Sequence, residues 1–150
     1  MDYTIRLVKK EDIPTLATIY KSYDEYWTQE SAEMFFEWWF NLQQDLFFVA
    51  TFESKPIGGI VASVKPWWKG KTLTDCELFV HSDYQKQGVG KKLLEKLIAE
   101  AIIKYKIIEF ECLVDKIQEF PLNWYKKLGM TETSLVHIAG EPEEILKKLS

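Results

Sequence analysis

The chain of 150 residues has only two cysteines and two histidines, and each scarcity removes a class of chemistry. Cys76 and Cys112 are far apart and lie in apolar runs, so neither a disulfide framework nor a zinc knuckle is expected, and buried free thiols are the better reading. His81 and His137 have no companion ligand at metal spacing, and no metal is expected. No apolar run approaches the length of a membrane span, and residues 1–10 carry polar side chains throughout. A soluble, cytoplasmic protein without membrane partners is therefore expected. Basic clusters are also lacking, and the formal net charge is -4, which argues against nucleic acid as a partner. No repeat, low-complexity tract or linker interrupts the chain, and 47% hydrophobic composition suffices for one core, so residues 1–150 read as a single domain.

What the sequence does contain is a clear order of elements. Residues 3–8 alternate like a strand, and Ile13, Leu16, Ile19 and Tyr20 follow at helical spacing with Pro14 in the first turn, where a missing N–H costs little. A second helix is expected over 31–43, with Ala32, Phe35, Phe36, Trp39 and Phe40 as its apolar stripe and Trp38 on the polar side. The β-rich runs 46–52, 57–64 and 73–81, separated by turns at 53–56 and 69–71, predict an antiparallel meander. A long helix then opens near Gly88, with Val89, Leu93, Leu94, Leu97, Ile98, Ala101 and Ile102 on one face. Residues 107–114 read as a strand that a right-handed crossover would pair in parallel. A short helix over 121–128 ended by Gly129, a last strand over 131–139 and a helical tail over 142–149 complete the expectation.

The segment joining the third meander strand to the long helix carries the most chemistry. It contains Gln85, Lys86, Gln87, Gly88, Val89, Gly90, Lys91 and Lys92. A helix N-terminus offers unpaired N–H groups and the positive end of its dipole to anions. Glycines at 88 and 90 let a phosphate approach the backbone, and the lysines add charge. A tight helix entry with solvated lysines is the plainer reading, but two glycines in one first turn, each costing about 1 kcal/mol in a helix, require a reason. A Walker A loop would need glycine at 85 and Ser or Thr at 92, where Gln85 and Lys92 stand, and a dinucleotide fingerprint would need glycine at 93, where Leu93 stands. The diphosphate of another cofactor is preferred.

Gln85, Gly88 and Gly90 resemble the signature of the GNAT superfamily of acyl-CoA-dependent N-acetyltransferases, which is Gln or Arg, two residues, Gly, one residue, then Gly or Ala. The resemblance implies an α/β fold of the α+β layered kind, with a mixed, mostly antiparallel sheet flanked by helices and splayed between its fourth and fifth strands. It implies transfer of an acetyl group from acetyl-CoA, as co-substrate, to a primary amine of a small molecule or peptide by direct attack in a ternary complex. The amides from Gln85 to Lys91 would cradle the cofactor's diphosphate, and Phe79 and Val80 would pair with its pantetheine arm. Tyr125, in a Tyr, three residues, Gly129, Met130 pattern similar to the family's second motif, would be the general acid. An unperturbed phenol, with a pKa of about 10, is protonated at neutral pH and able to donate. Asn123 would also face the cofactor, and so would Gln118, although asparagine is commoner there and alanine is commoner where Pro121 stands. Trp124 and Tyr125 read equally as core aromatics.

By the same resemblance Glu77 would deprotonate the amine, directly or through water, and the Val80 N–H would be the oxyanion donor. Glu77 also reads as a solvated strand residue sharing a face with Asp75. Tyr23, Asp24, Tyr26 and Trp27 combine carboxylate and aromatic faces, groups that recognise ammonium ions, in a stretch that borders the acceptor site in the family. Trp38, Trp67 and Trp68 line either an acceptor cleft or a homodimer interface. The rival reading is a non-catalytic acyl-CoA-binding sensor or regulatory module, against which Tyr125 argues. The helical tail leaves open whether the fold's usual last strand is kept.

Overall fold

The computed structural model describes residues 2–149, which fall into two compact units, 2–113 and 114–149. The first unit is built on a five-stranded sheet whose spatial order follows the chain. Its strands are β1 (Thr4–Leu7), β2 (Phe48–Phe52), β3 (Lys55–Trp67), β4 (Gly70–Val80) and β5 (Ile107–Phe110). The first four pair antiparallel and β5 pairs parallel to β4. The parallel pair is the one joined through a helix, as a crossover requires. A mixed, mostly antiparallel sheet with flanking helices is thus the fold.

Two helices lie between β1 and β2, α1 (Ile13–Lys21) and α2 (Gln29–Gln43). Thr28 caps α2 by accepting from the Ser31 N–H at 3.1 Å, while Ser31 Oγ accepts from the Thr28 N–H at 3.0 Å. This reciprocal pairing starts the helix two residues earlier than its apolar stripe indicates. Leu16, Ala17, Ala32, Phe36 and Trp39 from these helices pack with Val49, Val61 and Phe79 of the sheet in one buried cluster. α3 (Val89–Tyr105) buries Val89, Leu93, Leu94, Leu97 and Ala101, and Lys96 Nζ reaches over the Phe48 ring at 5.8 Å. Phe48 and Val49 are neighbours on β2, and strand alternation sends them to opposite faces. Ile102, expected on the buried face, is 49% exposed, because that face runs out one turn before the helix does.

The β2–β3 turn is tighter than the sequence indicates. Glu53 and Ser54 alone form it, with φ of 48° and 65°, the geometry of a two-residue hairpin whose twist matches its strands. The β3–β4 register slips between Val61 and Ser63, where Asp75 adopts φ 55°. This bulge interrupts the alternation that would put Asp75 and Glu77 on one face. β5 pairs with β4 only as far as Leu73, so β4 and β5 part there. Cys76 and Cys112 form no disulfide with each other, and both are half-buried rather than fully buried.

In the second unit α4 (Glu119–Lys127) and α5 (Pro142–Leu149) are the regular elements. Phe120 keeps an extended backbone, so regular helix begins at Pro121. Gly129, at φ 92°, ends the helix and places the Met130 N–H on the Tyr125 carbonyl at 3.1 Å, a left-handed termination that suits glycine. The strand expected over 131–139 is absent. Leu135, Val136 and Ile138 are 81%, 78% and 84% exposed. β propensity acts only where a neighbouring strand and a packed face exist, and Leu135 followed by Val136 breaks the alternation that one buried face would need.

Candidate functional site

The C-terminal end of β4 leads through a short 3-10 turn (Ser82–Tyr84) and Gln85 to the start of α3. Lys86 and Gly88 take φ of 60° and 84° there, and these two left-handed residues turn the chain into the helix. Gln87 Nε2 donates to the Asp83 carbonyl at 2.9 Å, bracing the loop. The Lys92 N–H to Gly88 carbonyl bond, at 3.1 Å, is where the helical ladder starts. The amides of Val89, Gly90 and Lys91 precede it, and Gly88 offers no side chain to cap them.

The protein's own packing does not require a glycine at 90. A Cβ there would meet Val80 Cγ2 at 3.8 Å and Leu78 Cδ2 at 4.0 Å, ordinary contacts. Nothing lies within 4 Å of a Cβ built at Gly88, whose need for glycine is its positive φ. Uncapped donors beside Lys86, Lys91 and Lys92, with bare backbone at 88 and 90, fit a diphosphate.

The residues around Val80 are drawn together more closely than the sequence indicates. Tyr23 Oη accepts from the Val80 N–H at 3.0 Å and from Gln85 Nε2 at 2.8 Å, and it donates to the Val80 carbonyl. Gln85 Nε2 also reaches that carbonyl, at 3.0 Å. Tyr23, expected at the acceptor, therefore holds the end of β4, and Gln85, expected at the cofactor, helps it. Phe79 is buried in the cluster against α1 and α2.

Of the other residues expected near the acceptor, Trp27 packs edge-on against Tyr20 at 5.4 Å and at a tilt against Phe35 at 5.1 Å. Asp24 Oδ1 accepts from the Tyr26 N–H at 2.9 Å, closing a small turn. The Tyr26 ring is 86% exposed. Trp38, Trp67 and Trp68 are exposed, as their off-stripe and hairpin-tip positions imply.

Glu77 is half-buried on β4, and its Oε2 accepts from Tyr20 Oη at 2.8 Å. Burial pushes the Glu77 carboxyl above the ordinary range; the Tyr20 bond pulls it down and nearby Asp75 pushes it further up. Burial likewise raises the Tyr20 phenol, with the charge and hydrogen bond of Glu77 adding to it. Tyr20 is a residue the sequence did not single out. It lies on the apolar stripe of α1 and reads there as core, and 57 residues separate it from its partner.

In the second unit Tyr125 is buried on α4, its ring 5.0 Å from that of Trp124. Asn123, on the same helix, is exposed, as is Gln118 at its N-cap, where no side-chain capping bond forms.

The family model for the acetyltransferase (GNAT) family matches residues 13–130. An uncharacterized N-acetyltransferase of Methanocaldococcus jannaschii is 28% identical over 145 residues, covering 89% of this chain and 63% of the relative. The chain thus spans less than two thirds of that relative's length. Among solved structures, a protein of Pyrococcus horikoshii is 26% identical with a TM-score of 0.75, covering 91% of this chain and 94% of that one. Ard1 from Thermoplasma volcanium has the same fold, with a TM-score of 0.73 at 21% identity over 89% and 86% of the two chains. With the matched region running from α1 past the loop before α3 to Met130, this chain belongs to the acetyltransferase (GNAT) family.

Proposed function

We propose that the chain is one catalytic domain that transfers an acetyl group from acetyl-CoA to a primary amine of a small molecule or peptide, by direct attack in a ternary complex. The observation that carries this reading is the first turn of α3, where three amides lack a capping side chain and a glycine stands at 90 without any demand from the protein's own packing. Bound acetyl-CoA supplies the activated acetyl group. The amides from Gln85 to Lys91, with the Lys86 and Lys91 side chains, hold its diphosphate, and Phe79 and Val80 offer backbone groups to its pantetheine arm. Gln118 and Asn123 remain cofactor contacts on the family resemblance alone.

The chain's own residues handle the protons. An amine with a pKa near that of a lysine, about 10.4, arrives protonated at neutral pH, so a base must act before attack. Glu77 takes that proton, directly or through water, and a carboxylate of raised pKa is better matched to the task than an ordinary one. The Val80 N–H faces the oxygen on which negative charge develops, once Tyr23 Oη has given up that donor. Tyr125 protonates the departing thiolate. Asp24, Tyr23, Tyr26 and Trp27 favour a cationic acceptor, because carboxylate and ring faces together stabilise ammonium.

The test is a thiol-release screen of acetyl-CoA against polyamines, amino acids, aminoglycosides and peptides, with coenzyme A binding measured by calorimetry. Tyr125→Phe is expected to lower turnover by about ten-fold or more with coenzyme A affinity nearly intact. Absence of coenzyme A binding in the unmodified protein would overturn the proposal, and unchanged turnover in Tyr125→Phe would remove that residue from the mechanism.

A further inference from the structure

The Tyr20 side chain is fixed from several directions. Its ring meets Phe36 at 5.1 Å, Phe79 at 5.2 Å and Trp27 at 5.4 Å, all near edge-on, and Phe35 at 5.6 Å. Rings from the segment after α1, from α2 and from β4 therefore determine where the hydroxyl points. It points at Glu77 Oε2, 2.8 Å away. Among the described residues no other donor is bonded to that carboxylate. A half-buried carboxylate on a strand, with one donor only, would otherwise turn freely about its last torsion.

We propose that Tyr20 is a positioning residue for Glu77: anchored by four aromatic rings, its hydroxyl holds Oε2 and leaves Oε1 as the oxygen that receives the proton of the incoming amine. This rests on Glu77 being the base in the reaction proposed above. A buried tyrosine hydroxyl needs an acceptor, but a backbone carbonyl would satisfy it without drawing a charged group out of water. Pairing with Glu77 has a purpose if the carboxylate must be held in one orientation, since a catalytic group about 1 Å out of place loses much of its effect.

The phenol is suited to this task because burial keeps it protonated, so it remains a donor and does not compete for the amine's proton. The titratable groups whose charges reach this pair are Asp24 after α1 and Asp75 on β4, while the neighbouring Cys76 is held as a neutral thiol, first by burial and then by nearby groups that include Glu77. Asp75 opposes ionisation of Glu77, and Tyr20 is the neighbour that favours it. Removing the hydroxyl must therefore raise the pH at which Glu77 becomes a carboxylate.

The experiment compares wild type, Tyr20→Phe, Glu77→Gln and a protein carrying 3-fluorotyrosine at position 20, with the amine acceptor identified by the thiol-release screen. Three quantities are measured: kcat/KM across pH 5 to 9, coenzyme A affinity, and the titration of the Glu77 carboxyl by carbon NMR, assigned by its loss in Glu77→Gln. The expected result for Tyr20→Phe is about a ten-fold fall in kcat/KM at neutral pH. The acid limb and the NMR midpoint both move to higher pH, and coenzyme A affinity is unchanged. Fluorotyrosine, a stronger donor of nearly the same shape, moves both to lower pH, and this holds as the test if Tyr20→Phe does not fold. An NMR midpoint and acid limb that stay put in these variants would overturn the proposal while leaving Glu77 as base. A Glu77→Gln enzyme with wild-type rate and an unmoved acid limb would overturn both, because the bond would then serve no reacting group.

Discussion

Two alanine substitutions two residues apart, at the N-cap and in the first turn of α3, are expected to change stability in opposite directions. Gly88 sits at φ 84° with nothing within 4 Å of an added Cβ, so the whole cost of Gly88→Ala is conformational, about 1–2 kcal/mol for an L residue forced into the left-handed region. Gly90 lies inside the first turn of α3 with ordinary clearance to Val80 and Leu78. Gly90→Ala removes the entropy penalty of a helical glycine and gains about 0.5–1 kcal/mol.

For a chain of this length those energies correspond to a midpoint lowered by about 2–8 °C and raised by about 1–4 °C respectively. Thermal and urea unfolding, read by tryptophan fluorescence, measure both. Coenzyme A calorimetry supplies the functional arm. Gly88→Ala tilts the three uncapped amides and is expected to weaken binding by about ten-fold, equivalent to 1.4 kcal/mol, and Gly90→Ala, which places a methyl group where the diphosphate approaches the backbone, is expected to weaken it by about three-fold despite the gain in stability. Two variants that shift stability in the same direction would refute the backbone argument. Gly88→Ala with full affinity would refute the role given to those amides.

Tyr23→Phe leaves the Val80 N–H without its acceptor, which costs about 1 kcal/mol in the free protein. If coenzyme A binding gives that amide a new acceptor, affinity should rise about five-fold, as calorimetry would show. Asp12 is buried, receives both Arg6 nitrogens at 2.7 and 2.9 Å and accepts the Lys9 N–H at 2.8 Å. Burial pushes its pKa up, but the Arg6 and Lys9 contacts outweigh it, so the pKa is lowered. Its stabilisation is therefore present above the ordinary carboxylate range, near pH 4, and disappears as pH falls through the lower folded value. Asp12→Asn should cost about 2 kcal/mol in urea unfolding at pH 7 and clearly less at pH 3. Phe36→Ala, at a fully buried position in ring contact with Tyr20, Phe35, Phe47 and Phe79, should cost about 3–5 kcal/mol in the same assay.

Periodicity made α2, α3 and the three-strand meander legible, because their apolar residues recur at spacings that only one kind of backbone satisfies. The loop from Gln85 to Lys91 stood out for another reason. Glycine at 90 is locally unfavourable in a helical first turn, so its presence signals a requirement outside the helix, whereas Gly88 answers to its own positive φ. What could not be read depends on partners remote in sequence. Tyr20 looks like any stripe residue until β4 places Glu77 beside it. The bulge at Asp75 arises from the slipped β3–β4 register, which no local pattern encodes. The strand expected over 131–139 had suitable composition, but a strand is defined by its neighbour as much as by its own residues.

A sheet whose strands lie in the order in which they are synthesised constrains how this chain folds. Each strand can dock on an edge already in place, so no later segment must thread between two earlier ones. The β3–β4 hairpin, with thirteen and eleven residues joined by a short turn, is the most local large piece of the sheet. It should zip early, with β1 and β2 closing on it only after the intervening helices have formed. On the ribosome, the first four strands and their two helices would be complete while α3 and β5 were still emerging.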